Sequence, residues 1–291
     1  MTVDTGLVMS APMSPRRRSA VWRRGPAGVL GGVVVAAWAL AAVGAPILTP
    51  YGSDEQHLQE ALQPPSVHHL GGTDDLGRDI LARVLYGGRY TLTLALSVVV
   101  VAGATGTLIG GASGYLGRWF DEGVMRATEL VMAFPAIILA MAIVVALGPG
   151  LVNAGLSMIL VWWPPYARLA RGEVLAVKHL EYVEAATALG QTPWGILRRT
   201  ILPNILPRMI VLATIDVGAA IATGAGLSFL GLGATPPTPE WGAMVSGGRD
   251  LLAQWWVATM PGLAIFLTVI AFNFIGDAAR DMMDPKSRGK S

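Results

Sequence analysis

The sequence predicts an all-α integral membrane protein with six transmembrane helices, and three observations carry that prediction. Apolar residues make up 53% of the chain and charged residues only 14%, against roughly 25% charged in a soluble domain. Six apolar stretches, at 27–48, 91–112, 130–147, 151–170, 209–232 and 257–275, approach the ~20 residues a helix needs to cross a bilayer. With both ends of the chain on the cytoplasmic side, 17 Lys and Arg residues fall inside and 4 outside, the asymmetry that orients multispan proteins. The absence of cysteine excludes disulfides and thiolate metal sites.

In chain order, residues 1–24 read as a disordered cytoplasmic tail, because the first twenty show no apolar period. Residues 25–48 form the first anchor. The preceding arginines and the small residues Gly44 and Ala45 also permit a cleaved signal peptide. The apolar stretch is long for one, however, and its removal would leave five spans and reverse the N-terminus, so an uncleaved anchor is expected. Residues 49–90 make an extracytoplasmic loop. Within it, Asp79 to Tyr86 reads as an amphipathic helix lying at the membrane surface, with Ile80, Val84 and Leu85 near one face. Asp74, Asp75, Arg78 and Asp79 are expected to form a local charge network, with Gly71, Gly72 and Gly77 supplying tight turns. The loop is read as a folded cap over the outer mouth; direct contact with a solute is the alternative.

Residues 91–280 hold the other five spans. Gly148-Pro149-Gly150 forces a tight turn between the third and fourth. Trp162 and Trp163 precede Pro164 and Pro165, which are expected to kink the fourth. After the fifth, Pro236, Pro237 and Pro239 stiffen the exit, and Trp241 stands where an aromatic interface anchor is expected. Trp255 and Trp256 are read as belt residues before the last span, and 281–291 as a cytoplasmic tail.

One cytoplasmic segment is unlike a simple connector. Residues 181–204, EYVEAATALGQTPWGILRRTILPN, read as a helix with Tyr182, Ala185, Ala186 and Leu189 at helical spacing. Gly190 then sits where a helix can turn left-handed. Thr192 and Pro193 read as the N-cap and first position of a second helix running toward Pro203. This resembles the E-A-A loop of ATP-binding-cassette importer permeases, with Glu184, Ala185, Ala186, Gly190, Leu202 and Pro203 matching. Thr200 stands where the general pattern has Ile, and Ile201 follows directly.

Further segments are similar to the dipeptide, oligopeptide and nickel branch of that family, in its C-type subunit. HHLGGTDDLGRD at 68–79 matches with one extra glycine, expected only to lengthen a turn; GLSFLGLGATPPTPEWGAM at 226–244, GYLGRWFDEGVMRATELVMAFP at 114–135 and WPPYARLAR at 163–171 extend the match. The resemblance covers about residues 20–285 and implies a type I importer permease fold with a cytoplasmic coupling-helix loop at 171–208. It implies a second, homologous permease, two ATPase subunits carrying ATP and Mg, and an extracytoplasmic substrate-binding protein as partners, in the plasma or inner membrane. No cofactor is expected on this chain, and no nucleic acid. Ala185, Ala186 and Leu189 are expected to pack into an ATPase cleft, with Glu184 facing a cation and Gly190 fixing the elbow.

Asp216 is the acidic residue nearest the centre of any span; an intramembrane carboxylate is a functional candidate. It reads either as a hydrogen-bond partner of Thr214, Thr223 or a neighbouring helix, or as pathway lining. Relatives carry a Glu before L-S-F-L-G where this chain has Gly224, so no role resting on that Glu transfers. Glu129 and Asp277 are expected to pair with Arg126 and Arg280. His57, His68 and His69 share the outer loop with carboxylates, but fit no recognised ligand spacing, so no metal is expected. His179 reads as solvated.

Rival functions fare worse. A secondary transporter needs intramembrane coupling residues and often inverted repeats. A membrane hydrolase needs a histidine at membrane depth, and all four lie outside the spans. No phosphate-binding G-x-x-x-x-G-K-[ST] is present, so this chain is expected to hydrolyse no ATP and to be no enzyme. The expected solute is a dipeptide or short oligopeptide, with nickel or a bulkier peptide-like solute as the alternative.

Overall fold

A computed structural model of the chain describes residues 25–283; the tail expectations for 1–24 and most of 281–291 lie outside the described residues. The architecture is all-helical: α1 (Gly25–Leu48), α2 (Ile80–Leu116), α3 (Arg118–Met132), α4 (Ala136–Leu147), α5 (Leu151–Val177), α6 (Glu181–Ala188), α7 (Pro193–Ile196), α8 (Leu202–Phe229), α9 (Trp241–Gly248) and α10 (Trp256–Met283). Among the described residues there is no strand, only a bridge between Thr73 and Asp79 in the outer loop.

By length and composition, four helices can cross a membrane: α1, α2, α10, and α7 running through into α8. The α3–α4 pair counts as a fifth, bent by 89°. α5 is long enough at 27 residues, but Trp162, Trp163, Pro164, Pro165 and Tyr166 dilute its apolar run.

Three expectations change here. The third span was read as one helix over 130–147; it breaks at Ala133–Pro135, leaving α4 only 12 residues long. Pro135 has no N–H to continue the α3 ladder and pushes Phe134 out of helical geometry. The surface helix expected at 79–86 is instead the first turns of α2, which runs 37 residues without a break. Ile80 and Val84 are buried rather than facing lipid, because they pack with Trp241, Met244 and Trp256. The second helix of the cytoplasmic segment does not end near Pro203: α7 passes through a π turn at Leu197–Ile201 directly into α8. There the Leu202 N–H reaches back five residues to Leu197 O, so the chain enters Pro203, which has no N–H to offer, without losing helical continuity. Pro164 and Pro165 likewise leave α5 continuous.

Packing is organised around α2. Gly106, Gly110 and Gly114 lie one turn apart on one face, and a Cβ at any of them would run into the α5 backbone at Trp163, Ala167 or Arg171. Small residues at four-residue spacing let two helices approach to backbone contact, where dispersion substitutes for the missing hydrophobic drive in lipid. α1 docks on α10 through Gly28 and Gly31 in the same way, against Ala278, Ala271 and Phe274. The central core joins Val98, Val99, Val144, Met158, Ile221 and Phe272; a basal cluster and an outer cluster close its two ends.

Candidate functional site: the basal elbow and the outer cap

At the base, Leu180 enters α6 in extended geometry and the helix runs eight residues. It closes with two bonds, Gly190 N–H to Thr187 O at 2.9 Å and Gln191 N–H to Ala186 O at 3.2 Å. That is the Schellman pattern, which requires a left-handed residue between them, and Gly190 supplies it at φ +76°. Thr192 Oγ1 then accepts from Gly195 N–H at 3.2 Å and caps α7, with Pro193 in its first turn. The cluster beneath gathers Ala170, Val174, Val183, Ala186, Ile196, Leu197, Ile201, Ile205 and Met209.

This assigns the two faces of α6. Val183 and Ala186 point inward, so Ala186, expected to meet a partner, is already buried against its own chain. Ala185, about 100° around the helix from Ala186, is exposed instead. Ala185 and Glu184 point outward with Tyr182 and Leu189, and Leu189 is 82% exposed. Trp194 of α7 is also exposed. Glu184 makes no ion pair among the described residues. Ile201 is buried, Leu202 half-buried and Pro203 exposed. α5, which leads into the elbow, is tied to its neighbours: Arg171 holds Asp121 of α3 through two bonds, 2.5 and 2.6 Å, and Arg208 of α8 pairs with Glu173. His179 is exposed beside it.

At the opposite end the loop folds into a cap. Asp74 accepts from Arg78 Nε at 2.7 Å and from the backbone N–H groups of Leu76 and Arg78. Asp75 stands 3.8 Å from Arg78. Asp79 caps α2 by accepting from Ala82 N–H at 2.7 Å. Asp74, Asp75 and Arg78 thus form a network that extends to Arg83, while Asp79, expected within it, pairs with His69 instead. His69, buried, touches Asp79 with Nδ1 at 2.9 Å and Glu60 with Nε2 at 3.2 Å, while His68 is exposed. Arg83 donates to Ser53 O and Pro237 O, tying the loop to the segment after α8. A pocket of about 270 Å³ lies between this network, Pro236, Thr238 and Met244. Gly71 and Gly72 do more than lengthen a turn: Cβ atoms there would meet the Leu81 backbone and the Trp256 indole.

Trp241 is not an interface anchor. It is 0% exposed, donates from Nε1 to Val84 O at 2.8 Å, and meets Trp38 edge-on at 5.1 Å. Trp256 is buried too, donating to Thr73 O at 3.1 Å, whereas Trp255 is exposed as a belt residue would be. Glu240, which sequence reasoning passed over, is fully buried; it caps α9 by accepting from Gly242 and Ala243 N–H and from Thr91. Its signal was available, an acidic residue at the head of a helix following prolines. So was the G-x-x-x-G-x-x-x-G run at 106–114.

Between the two ends lies Asp216, half-buried near the middle of α8. Its neighbour is neither Thr214, which bonds Ile210 O, nor Thr223. The group it faces is the Tyr166 hydroxyl of α5. Tyr166 is 0% exposed, and the Asp216 carboxylate is the polar group its buried hydroxyl meets. Arg126 and Glu129 pair at 3.5 Å as expected; Asp277 and Arg280 form no ion pair among the described residues.

The chain is a helical bundle with a polar elbow at one end and a folded cap at the other. The same fold occurs in a chain of the MetNI methionine ABC transporter solved in inward-facing conformations, with a TM-score of 0.55 at 22% identity, covering 70% of this chain and 98% of that one. Sequence comparison goes further. Residues 106–289 match the profile of the binding-protein-dependent transport system inner membrane component, and 18–65 that of the N-terminal TM domain of oligopeptide transport permease C. The chain belongs to this family of ABC-importer permeases and is a multi-pass membrane protein. It is 42% identical to the probable D,D-dipeptide transport system permease protein DdpC of Escherichia coli K12, over 93% of this chain and 92% of that protein. The dipeptide transport system permease protein DppC of Alkalihalophilus pseudofirmus is 42% identical, over 89% and 86%. The glutathione transport system permease protein GsiD of Pectobacterium atrosepticum is 43% identical, over 82% and 80%.

Proposed function

We propose that this chain is the C-type permease subunit of an ATP-driven importer of dipeptides or short oligopeptides. It crosses the membrane six times, with α1, α2, the α3–α4 pair, α5, α8 and α10, and keeps both ends in the cytoplasm. A homologous permease completes the pathway, two ATPases bind and hydrolyse ATP with Mg, and an extracytoplasmic binding protein delivers the solute. The residues at 25–48 are retained as an anchor, a reading supported by the fit of Gly28 and Gly31 against α10.

The observation that carries the proposal is the outward face of the elbow. Tyr182, Ala185, Leu189 and Trp194 stand exposed on elements whose opposite face is a packed cluster. Exposed apolar groups on a polar helix are a partner surface. An ATPase closing on ATP would seat α6 in its cleft, with Glu184 meeting a cation there. α7 continues through the π turn into α8, so a displacement of the elbow is transmitted directly to a span as a rigid-body shift. The relatives' names supply the solute class: D,D-dipeptide, dipeptide and glutathione.

The test is ATP-dependent uptake by the complete transporter in membrane vesicles, supplied with its binding protein and offered labelled dipeptide, labelled pentapeptide and nickel in parallel. Uptake of a peptide is expected. Uptake of nickel alone, or of none of the three, would remove the peptide assignment, and uptake independent of ATP would remove the importer.

A further inference from the structure

We propose that α3 is a membrane-surface helix. It lies in the lipid headgroup layer at the base of the bundle, with Trp119, Phe120 and Leu130 dipped among the acyl chains and a charged stripe turned to water. The partner is the lipid surface itself. The inference uses only the multi-pass character of the chain and is independent of which solute it carries.

Both ends of α3 set it across the bundle. The chain leaves α2 through two successive left-handed residues, Gly117 at φ +65° and Arg118 at φ +53°. At the far end α3 and α4 meet at 89°, and α4 belongs to the bundle, sharing the central core through Ala140 and Val144. Between these corners the Arg171–Asp121 pair clamps α3 to the base of α5.

The 15 residues of α3 divide into three faces at the ~100° step of a helix. Toward the bundle, Thr128 is buried and Asp121 and Met125 are half-buried. Arg118, Glu122, Arg126 and Glu129, at i, i+4, i+8 and i+11, line one face and are all exposed. One residue further on, the same spacing gives Trp119, Gly123, Ala127 and Leu130, also all exposed. Trp119 is 86% and Leu130 70% exposed, and Phe120 widens the stripe. An outer surface split lengthwise into an aromatic-aliphatic stripe and a charged one matches the boundary between lipid and water, where tryptophan is enriched.

Lipid is favoured over a protein partner by continuity. The apolar stripe runs past the break into Phe134 and Ile138, 59% and 58% exposed, and Ile138 stands on α4, which is apolar throughout. The charged stripe carries two Arg and two Glu, with Arg126 and Glu129 at 3.5 Å, so the attraction comes from apolar burial and needs no anionic lipid. Were α3 to span the membrane instead, those four charges would enter hydrocarbon. Nor is its length required. The 12 residues of α4 rise ~18 Å and residues 133–135 add at most ~10 Å, together close to the ~30 Å core. The crossing of the α3–α4 pair therefore belongs to α4. The clamp on Arg171 then holds the base of α5, which leads into the elbow, at headgroup depth.

The chain has no cysteine, so single cysteines can each carry a bimane fluorophore. The complete transporter, with any cysteines of its other subunits replaced, is reconstituted in phosphatidylcholine vesicles. Gly123→Cys and Ala127→Cys report the apolar stripe and leave its large side chains in place; Glu122→Cys and Glu129→Cys report the charged one. A nitroxide high on the lipid acyl chain should extinguish most of the fluorescence at positions 123 and 127 and little at 122 and 129. Aqueous iodide should do the reverse, and added phosphatidylglycerol should leave the pattern unchanged. Equal quenching of all four positions by iodide would put α3 in water. Protection of 123 and 127 from both quenchers would put a protein there, and lipid quenching that appears only with phosphatidylglycerol would make the contact electrostatic. Each of these three results overturns the proposal.

Discussion

Single residues decide whether the cap is structural. Trp241 fills the space between α2, α1 and α10, with its indole N–H committed to Val84 O. Trp241→Ala should therefore cost about 3–5 kcal/mol of stability, the range for truncating a buried aromatic. Thermal unfolding of the purified transporter, followed by loss of soluble complex on heating, reads this out; a near-wild-type midpoint would return Trp241 to the role of an exposed interface anchor. Gly190 behaves differently. A Cβ there meets nothing, so the penalty for substitution is conformational alone, about 1–2 kcal/mol for a residue that resists the left-handed region. Gly190→Asn, which tolerates that region, should keep uptake near wild type, while Gly190→Val should lose most of it with the complex still assembled. Equal uptake by both variants would show that the elbow's shape is immaterial.

At the scale of elements, α6 is two-faced and the two faces predict opposite phenotypes. Leu189→Arg or Glu184→Lys changes only the exposed side. Each should leave insertion and thermal stability intact and lower ATP-driven uptake tenfold or more, the loss expected when a hot-spot contact at an interface is removed. Ala186→Arg forces a charge into the basal cluster and should instead fail in assembly, visible as absent complex on size-exclusion chromatography. If Leu189→Arg supports wild-type uptake, α6 does not couple. The same segment shows where sequence reading succeeds. Gly190, Thr192 and Pro193 act through their own backbone chemistry, so the elbow was legible to within a residue. The break at Phe134-Pro135 had a local signal in Pro135 that the reading passed over, whereas the continuity of α2 through Gly87 and Gly88 was not legible, because it is settled by neighbours distant in sequence. Gly87 packs on Pro239, and α2 persists across it because Trp241 fills that side. The burial of Trp241 and Trp256 was lost for the same reason: a tryptophan near a span end looks identical from sequence whether it faces lipid or a loop that folds back over it. Asp216 was legible as an outlier, but its partner Tyr166 lies fifty positions away on another helix.

For the molecule as a whole, the proposed topology sets the elbow and the cap on opposite sides of the membrane. The proposed six crossings and the charge asymmetry would put α6 and α7 in the cytoplasm and the Asp74–Asp79 network outside. The chain contains no cysteine, so single cysteines report topology without background. His179→Cys sits at an exposed position beside the elbow and Ser66→Cys at an exposed position in the cap. In intact cells a membrane-impermeant maleimide should label Ser66→Cys fully and His179→Cys only after the membrane is opened. The result also tests the span count. α5 carries the chain from the Gly148–Gly150 turn to the elbow, so it must cross if the α3–α4 pair crosses; were α3–α4 merely to lie on the surface, an odd number of crossings would separate the two ends of the chain. A cysteine at Lys290, labelled from the same side as His179→Cys, would hold both ends of the elbow-bearing half in the cytoplasm, since α8 and α10 between them return the chain. Labelling of Lys290→Cys from outside while His179→Cys stays protected would mean that one of those two helices does not span, and with it would go the six-crossing topology on which a continuous path from cap to elbow depends.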